Sequence, residues 1–547
     1  MHASRLCILA LLVSAVACSD NKSSNSSSAA RDVLTISTPA DADALIPPLV
    51  QTTQGKQAVD LIFDYLAEPV SALETVGDAG FRASLAKSWS WSSDSLSVAF
   101  AIDARARWHD GYPVRANDVK FSYGLYVDPA TASPHADDFK GIDSVSVRDS
   151  LTAVVWWSKR NPEQFFQIAY GLAILPEHLL AGEPRATLAT SSFAQHPIGS
   201  GRYRFEQWTR QRQLLLVADA NNFRGRPGFN RVVWIVAADP TAASLSVLSG
   251  QADVLDQVRG DAFVKARATP SLKTVEYGSL DYAFLQFNFD RTVSGARQLF
   301  GSHALRVALS AALDRKAMVA NALDSLGEVA LGPFTRSEPN ANASVRQISF
   351  SVEQASKTLD SLGWKLDAKD SVRKKSGQPL QFELLVPSSS ATRQKFGVLI
   401  QAQLRTIGVK VELAPVEPGI FASRLQKGDF DAALNMWHTD PSPTAIAGVW
   451  SSPHGKNVGA NFGRYSNAEF DALVDSASNS FNASKRRGLM QRAYQLIVDD
   501  APAIWLYEPR NFAAVNARVV TTGMRADAWW AAIPAWHLNT ATVASKP

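Results

Sequence analysis

Val232-Val233-Trp234-Ile235-Val236, then Asp239-Pro240-Thr241, then Ala242 to Leu248, then Gly250 and Val254-Leu255: this run sets the fold class. The first block is β-branched and aromatic, and such side chains pack well on a pleated surface, so it predicts a strand. Asp239 offers an oxygen to the unpaired N–H groups of a helix start, and Pro240 suits the first helical position. Gly250 ends the helix, and Val254-Leu255 begins another strand. The run reads as a small βαβ unit.

The same rhythm returns further on. Phe382 to Val386 predicts a strand, and Thr392 to Ile407 a helix with Phe396, Ile400, Leu404 and Ile407 on one face. After Gly408 comes the strand Val409-Lys410-Val411-Glu412-Leu413, then a helix over about 419–426, then a strand from Ala432 to Met436. Alternation of this kind predicts open α/β sheets with largely parallel strands. At 547 residues and 46% hydrophobic composition the chain is globular and can bury more than one core, in about three or four units by length. A formal charge of +4, with no run of Lys and Arg that stands out, leaves no electrostatic footprint for nucleic acid.

Arg5 precedes an apolar stretch from Leu6 to Ala17, the length of a signal-peptide core and too short to span a membrane as a mature helix. Export follows. Ala15-Val16-Ala17-Cys18 resembles a lipobox, which implies lipidation of Cys18 and cleavage in front of it, with 1–17 as signal peptide. Cys7 lies in the removed segment, so the mature chain holds a single, capped cysteine and no disulfide. Ser19 to Arg31 is polar and low in complexity, and reads with Cys18 as a flexible tether over 18–31. Its reach is about 20 Å. Ser19 after the lipidated cysteine favours outer-membrane sorting in a cell with two membranes. Beyond the tether no uninterrupted apolar run is long enough for a transmembrane helix, so the lipid is the expected contact with the membrane.

Ser95 to Ile102 alternates as a half-buried strand does, and Asp110-Gly111 is a strong turn dipeptide. Asn117 or Asp118 is placed to cap a short helix containing Val119, Phe121, Tyr123 and Leu125. His109 beside Asp110 is read as structural, because neighbours in a strand point to opposite faces. Leu85-Ala86-Lys87-Ser88-Trp89 together with Trp108 to Ser122 (Trp-His-Asp-Gly-Tyr-Pro-Val-Arg-Ala-Asn-Asp-Val-Lys-Phe-Ser) resembles the signature region of the family 5 extracellular solute-binding proteins, the peptide, oligopeptide and nickel receptors of bacterial ABC importers. Ile198 to Phe205 resembles that family's Gly-x-Gly-x-Tyr turn into a strand. Leu305 to Arg315 resembles its Arg-x-Ala-x-x-x-Ala-x-Asp-Arg helix. Taken alone, Gly199 and Gly201 also suggest a phosphate cradle, but they lead into a strand and lack the Lys and helix of a P-loop.

The resemblance implies a periplasmic binding protein-like fold of type II, α/β, with three lobes and a hinged ligand cleft. On it the first lobe takes 32–65, 190–273 and 509–547, the second 66–189, and the third 274–508. Asp281 to Asn288 and Pro502 to Tyr507 resemble the segments crossing between first and third lobes. The implied function is that of a substrate-binding lipoprotein of an ABC importer, exported to the periplasmic side, monomeric, handing a peptide or similar small solute to the permease. No enzyme activity and no cofactor are implied.

Gly428 to Pro443 resembles the family's strand ending in Trp-x-x-Asp, whose Asp holds the α-amino group in peptide-binding members; Asp440 is the matching residue. A buried ammonium needs such a carboxylate, since desolvating it alone is costly. Read locally, Asp440-Pro441 is equally a turn or a helix cap. Trp437 and Tyr282 are candidate apolar walls, with core packing the alternative. Arg464, in a loop resembling one near the family's site, is a candidate partner for a carboxylate. The nine histidines are scattered with no i, i+4 pair and no Cys/His cluster, so no metal site is expected, and His438 is the one histidine beside the candidate site. An exported hydrolase is the competing class, but no Gly-x-Ser-x-Gly, His-Glu-x-x-His or Ser-x-x-Lys constellation is attached to the local pattern expected of one. A lipoprotein sensor or chaperone on the same fold stays open.

Overall fold

The βαβ run forms as its residues require. In the computed structural model, which describes residues 32–290, 296–324, 326–442, 445–453 and 458–539, Arg231–Val236 is a strand and Pro240–Leu248 a helix. Asp239 caps that helix by accepting the Ala242 amide at 2.8 Å, and Gly250 turns the chain at φ +79°. Arg231–Val236 and Val254–Leu255 both pair in parallel with Val33–Thr38, which lies between them. The signal peptide, Cys18 and the tether fall outside the described residues.

Three larger sheets organise the molecule. A seven-stranded sheet runs in the order Leu272–Tyr277, Asn511–Asn516, Val254–Leu255, Val33–Thr38, Arg231–Val236, Gln213–Ala218, Tyr203–Thr209. A four-stranded sheet holds Ala86–Trp91, Ser97–Ile102, Thr152–Trp157 and Ile142–Asp149, all antiparallel. A six-stranded sheet runs Gly327–Glu328, Ala503–Pro509, Asp281–Phe287, Ala432–His438, Gln381–Pro387, Lys410–Val416.

The expectation of largely parallel strands is corrected. Parallel pairing is confined to the strands flanking Val33–Thr38 and to the Ala432–His438, Gln381–Pro387, Lys410–Val416 edge. The other named pairs in the three sheets are antiparallel. Parallel neighbours need a crossover, and at that edge the helices Ala391–Thr406 and Pro418–Lys427 supply it. Elsewhere short hairpins, such as the turn with Gln211 at φ +58°, return the chain directly.

One continuous apolar cluster joins the seven- and four-stranded sheets, with Leu34 and Val232 from the first and Val98 and Phe100 from the second. The six-stranded sheet is covered on both faces. Along Asp281–Phe287 the residues alternate strictly, with Tyr282 and Phe284 in one cluster and Ala283, Leu285 and Phe287 in the other. The chain passes between the seven- and six-stranded sheets at 278–280 and again at Arg510, where strands of one sheet end and strands of the other begin.

The signature stretch is a structural knot. Trp108 is buried and its indole Nε1 donates to Asp118 at 3.3 Å. Asp118 also accepts the Arg115 amide at 2.8 Å and the Glu177 amide at 2.9 Å, so it caps the Ala116–Val127 helix from inside its first turn. His109 accepts the Gly199 amide at Nδ1 (3.2 Å) and donates from Nε2 to the Gly201 carbonyl (2.9 Å). Burial pushes this imidazole down to about 4, so it stays neutral in that bridge. Asp110 instead meets His178 at 2.9 Å. Gly199 and Gly201 are small for a steric reason: a Cβ on either would stand 1.8 or 2.4 Å from the backbone carbonyl oxygens of Ile62 and Leu61.

Candidate ligand cleft

The strand Ala432–His438 leaves the six-stranded sheet at its carboxyl end, the edge where open α/β sheets place ligands. Thr439 is buried and its amide donates to the Leu280 carbonyl at 2.8 Å, which fixes the next residue, Asp440, over a cavity of about 840 Å³. The cavity has three walls. Asp256, Gln257, Tyr277, Asn511 and Trp529 come from the seven-stranded sheet and the 3-10 turn Trp529–Ala535; Tyr126, Glu163 and Tyr170 come from segments packed on the four-stranded sheet; Asp281 and 438–442 come from the six-stranded sheet.

Asp440 accepts the Ser442 amide at 2.7 Å, so it does form the local turn that its sequence allows. Its side chain also faces the cavity, where solvent reaches it but the walls displace most bulk water. Burial therefore raises its carboxyl to about 6, with Glu163 adding like charge. Glu338, within electrostatic reach of Asp440, is pushed up by burial to about 8. His438 meets Asp281 at 2.9 Å, and that hydrogen bond raises the imidazole above its ordinary range. Lys56 is held by Asp60 at 2.9 Å; Asp60 also accepts from Tyr65 (2.6 Å) and Trp530 (2.9 Å).

The other expected site residues, Tyr282, Trp437 and Arg464, do not line this cavity. Tyr282 is 1% exposed and sits in the core, where its hydroxyl accepts from the Trp450 indole at 3.1 Å. Trp437, its register partner, packs partly buried against the same cluster. Arg464 is bound to Asp290 at 2.7 Å, away from the cavity. Asp281 and His438, the strand neighbours of Tyr282 and Trp437, line the cleft, because adjacent strand positions face opposite ways. Pro443 and Thr444 lie outside the described residues. Asp256 had a usable signal, since it directly follows Val254-Leu255, the end of a parallel strand.

Contacts close one side of the cleft. Thr75 Oγ1 donates to the Pro441 carbonyl at 3.2 Å, Ser442 Oγ donates to Glu163, and Glu74 receives Arg487 at 3.2 Å and Arg486 at 3.4 Å. Among the described residues no group of three or more His, Cys, Asp and Glu side chains could hold a metal ion, and no helix is long and apolar enough to cross a membrane.

Residues 80–459 match the bacterial extracellular solute-binding proteins, family 5 Middle. The chain is 28% identical to the oligopeptide-binding protein AppA of Bacillus subtilis, over 94% of each chain. It is 24% identical to the nickel-binding periplasmic protein of Escherichia coli, over 86% of this chain and 88% of that one. The solved structure of AppA from Bacillus subtilis in complex with a nonapeptide superposes with a TM-score of 0.74 at 24% identity, covering 93% of this chain and 99% of that one.

Proposed function

Because the chain belongs to the family 5 bacterial extracellular solute-binding proteins, we propose that it is the lipid-anchored receptor of an ABC importer and captures a peptide or similar small solute in the cleft beneath Asp440. The observation that carries this reading is the cavity of about 840 Å³ whose walls come from all three sheets. That volume suits a small organic solute. In this reading the carboxylate of Asp440 meets the solute's ammonium, and Tyr277, Trp529 and Tyr170 supply apolar wall.

The three lobes, 32–65 with 190–273 and 509–547, 66–189, and 274–508, hinge at 278–280 and Arg510. Solute bridging the walls favours the closed arrangement, because its contacts on both sides exist only there. The contacts from Glu74, Thr75 and Glu163 to the third lobe support a closed form that the permease recognises. Cys18 carries the lipid, and the segment 18–31 keeps the body about 20 Å from the membrane surface. No catalytic step is assigned to any residue.

Native mass spectrometry of the gently purified protein, followed by release of its bound molecules, tests the reading. A ladder of short peptide masses that disappears in Asp440→Ala is the expected result. A single non-peptide adduct that survives the substitution would overturn it.

A further inference from the structure

Two arginines from different sheets converge on one tyrosine. Arg393 lies in the first turn of the helix Ala391–Thr406, which follows the strand Gln381–Pro387 of the six-stranded sheet. Arg259 precedes the helix Gly260–Ala268, just beyond the strand Val254–Leu255 of the seven-stranded sheet. Both act electrostatically on the hydroxyl of Tyr507, in the strand Ala503–Pro509. The Tyr507 ring is fixed: it is 3% exposed and stacks at 4.6 Å on Phe396, one turn beyond Arg393. The meeting place borders the cavity. Arg259 donates to Gln257 Oε1 (3.1 Å) and Asn511 Oδ1 (3.3 Å), and both of these residues are part of the cavity wall, as is Asp281, which also acts on Tyr507.

Arg393 has nothing to hold. Among the described residues its guanidinium makes no hydrogen bond and no ion pair, and its buried Nε has no acceptor. Tyr507 is the only titratable group that acts on it, and burial lowers its pKa. Arg306 and Arg373 show the ordinary outcome: each ends on backbone carbonyls and a carboxylate. A charged donor taken from water without an acceptor forfeits its hydration for nothing, so its position is one that a ligand completes. The Tyr507 hydroxyl likewise has no hydrogen-bond partner among the described residues, and burial pushes it up to about 12, so it stays neutral and able to donate. Arg259 ends on neutral amide oxygens; Asp256 feels its charge, but no ion pair joins them.

Resting on the reading of the cleft as a solute site, we infer that Arg393, Arg259 and the Tyr507 hydroxyl form an anion subsite bordering the cavity, so that the solute carries a carboxylate besides the ammonium taken by Asp440. Arg393 offers an unused planar fork, which matches a carboxylate with two parallel hydrogen bonds. Tyr507 adds a donor, and Arg259 adds positive charge from the opposite sheet. The two guanidiniums are like charges borne on either side of the 278–280 and Arg510 crossings, and bringing them together is unfavourable until an anion stands between them. Binding of the anionic group is thereby tied to closure of the cleft. A free peptide terminus and an acidic side chain share the chemistry that this subsite takes.

Titration calorimetry of the purified full chain distinguishes the outcomes with four probes: Ala-Ala-Ala with a free terminus, its C-terminal amide, the amide of Ala-Asp-Ala, and glutarate. The expected result is that one of the two carboxylate-bearing peptides binds at least about tenfold more tightly than the Ala-Ala-Ala amide, and that Arg393→Gln abolishes the preference. Preference for the free terminus assigns the subsite to the end of the peptide; preference for Ala-Asp-Ala amide assigns it to an acidic side chain. Arg259→Gln, at an exposed residue, is expected to weaken the same preference, and it reads the subsite even where Arg393→Gln fails to fold. Equal binding of the three peptides, or a preference that survives both substitutions, overturns the subsite and leaves the peptide reading standing. Binding of glutarate alone, weakened by Arg393→Gln, supports the subsite and sinks the peptide reading. Binding of none of the probes overturns both.

Discussion

His438 and Asp281 lie directly opposite each other on antiparallel strands and their side chains meet at 2.9 Å on the lip of the cleft. The hydrogen bond to Asp281 holds the folded imidazole above its ordinary range. A raised histidine contributes stability that is complete below the unfolded value and is lost as pH rises through the folded one. Asp281→Asn is therefore expected to lower the melting temperature more at pH 6 than at pH 9. The pair is solvent-accessible, so the effect stays below about 1 kcal/mol. Equal shifts at both pH values would show that the pair carries no proton-linked stability.

Asp440 predicts a pH dependence of opposite kind for capture. Its carboxyl titrates at about 6 in the empty cleft, and a bound ammonium favours the ionised form. Solute binding then expels a proton below pH 6. Affinity for an ammonium-bearing solute is expected to be about tenfold weaker at pH 5 than at pH 7, since each pH unit below the empty-site value costs about tenfold. Calorimetry at the two pH values measures it, and Asp440→Asn is expected to flatten the profile.

Ser442→Ala removes the hydroxyl that donates to Glu163 across the cleft. One such bond is worth about 1 kcal/mol, so solute dissociation is expected to speed up about fivefold with little change in association. Stopped-flow release of a labelled peptide reads both rates.

Gly199→Ala and Gly201→Ala place a Cβ against the Ile62 and Leu61 carbonyls. The backbone cannot yield there without breaking the Gly201 amide's hydrogen bond to Ile62 O at 2.8 Å. Each substitution is expected to destabilise the protein by about 3 kcal/mol, seen as a lower midpoint in urea.

Arg306 is 4% exposed and donates to the carbonyls of Phe300 (2.7 Å), Ala501 (3.0 Å) and Asp500 (2.6 Å). Lysine cannot reproduce that planar fork. Arg306→Lys is expected to cost about 3 kcal/mol, as loss of buried charged partners usually does, again read from the urea midpoint.

The local vocabulary of the fold is legible along the chain. Asp239-Pro240 starts a helix, Gly250 ends one, and Gly408 separates Thr406 from the next strand at φ +78°, because each obeys backbone rules that need no distant partner. The sheet order is not legible in the same way. Asn511–Asn516 inserts between Leu272–Tyr277 and Val254–Leu255, and nothing within its six residues says so. The site is read in part. Asp440 is marked by its strand and motif, whereas Tyr282 and Trp437 are aromatic residues one position away from the cleft-lining Asp281 and His438.

By itself the sequence determined the α/β class, the motifs of a solute-binding family and one carboxylate at the end of a strand. Tertiary structure alone decided which side of each strand meets the cavity, and which distant segments share its wall. A period of two states that Tyr282 and Phe284 share a face, but only the helices packed on that face make it core. The meeting of Thr75 with Pro441, 366 residues apart, and of Asp256 with Trp529 depends on how the sheets stack, and stacking is set by the summed burial of many side chains that no local pattern contains.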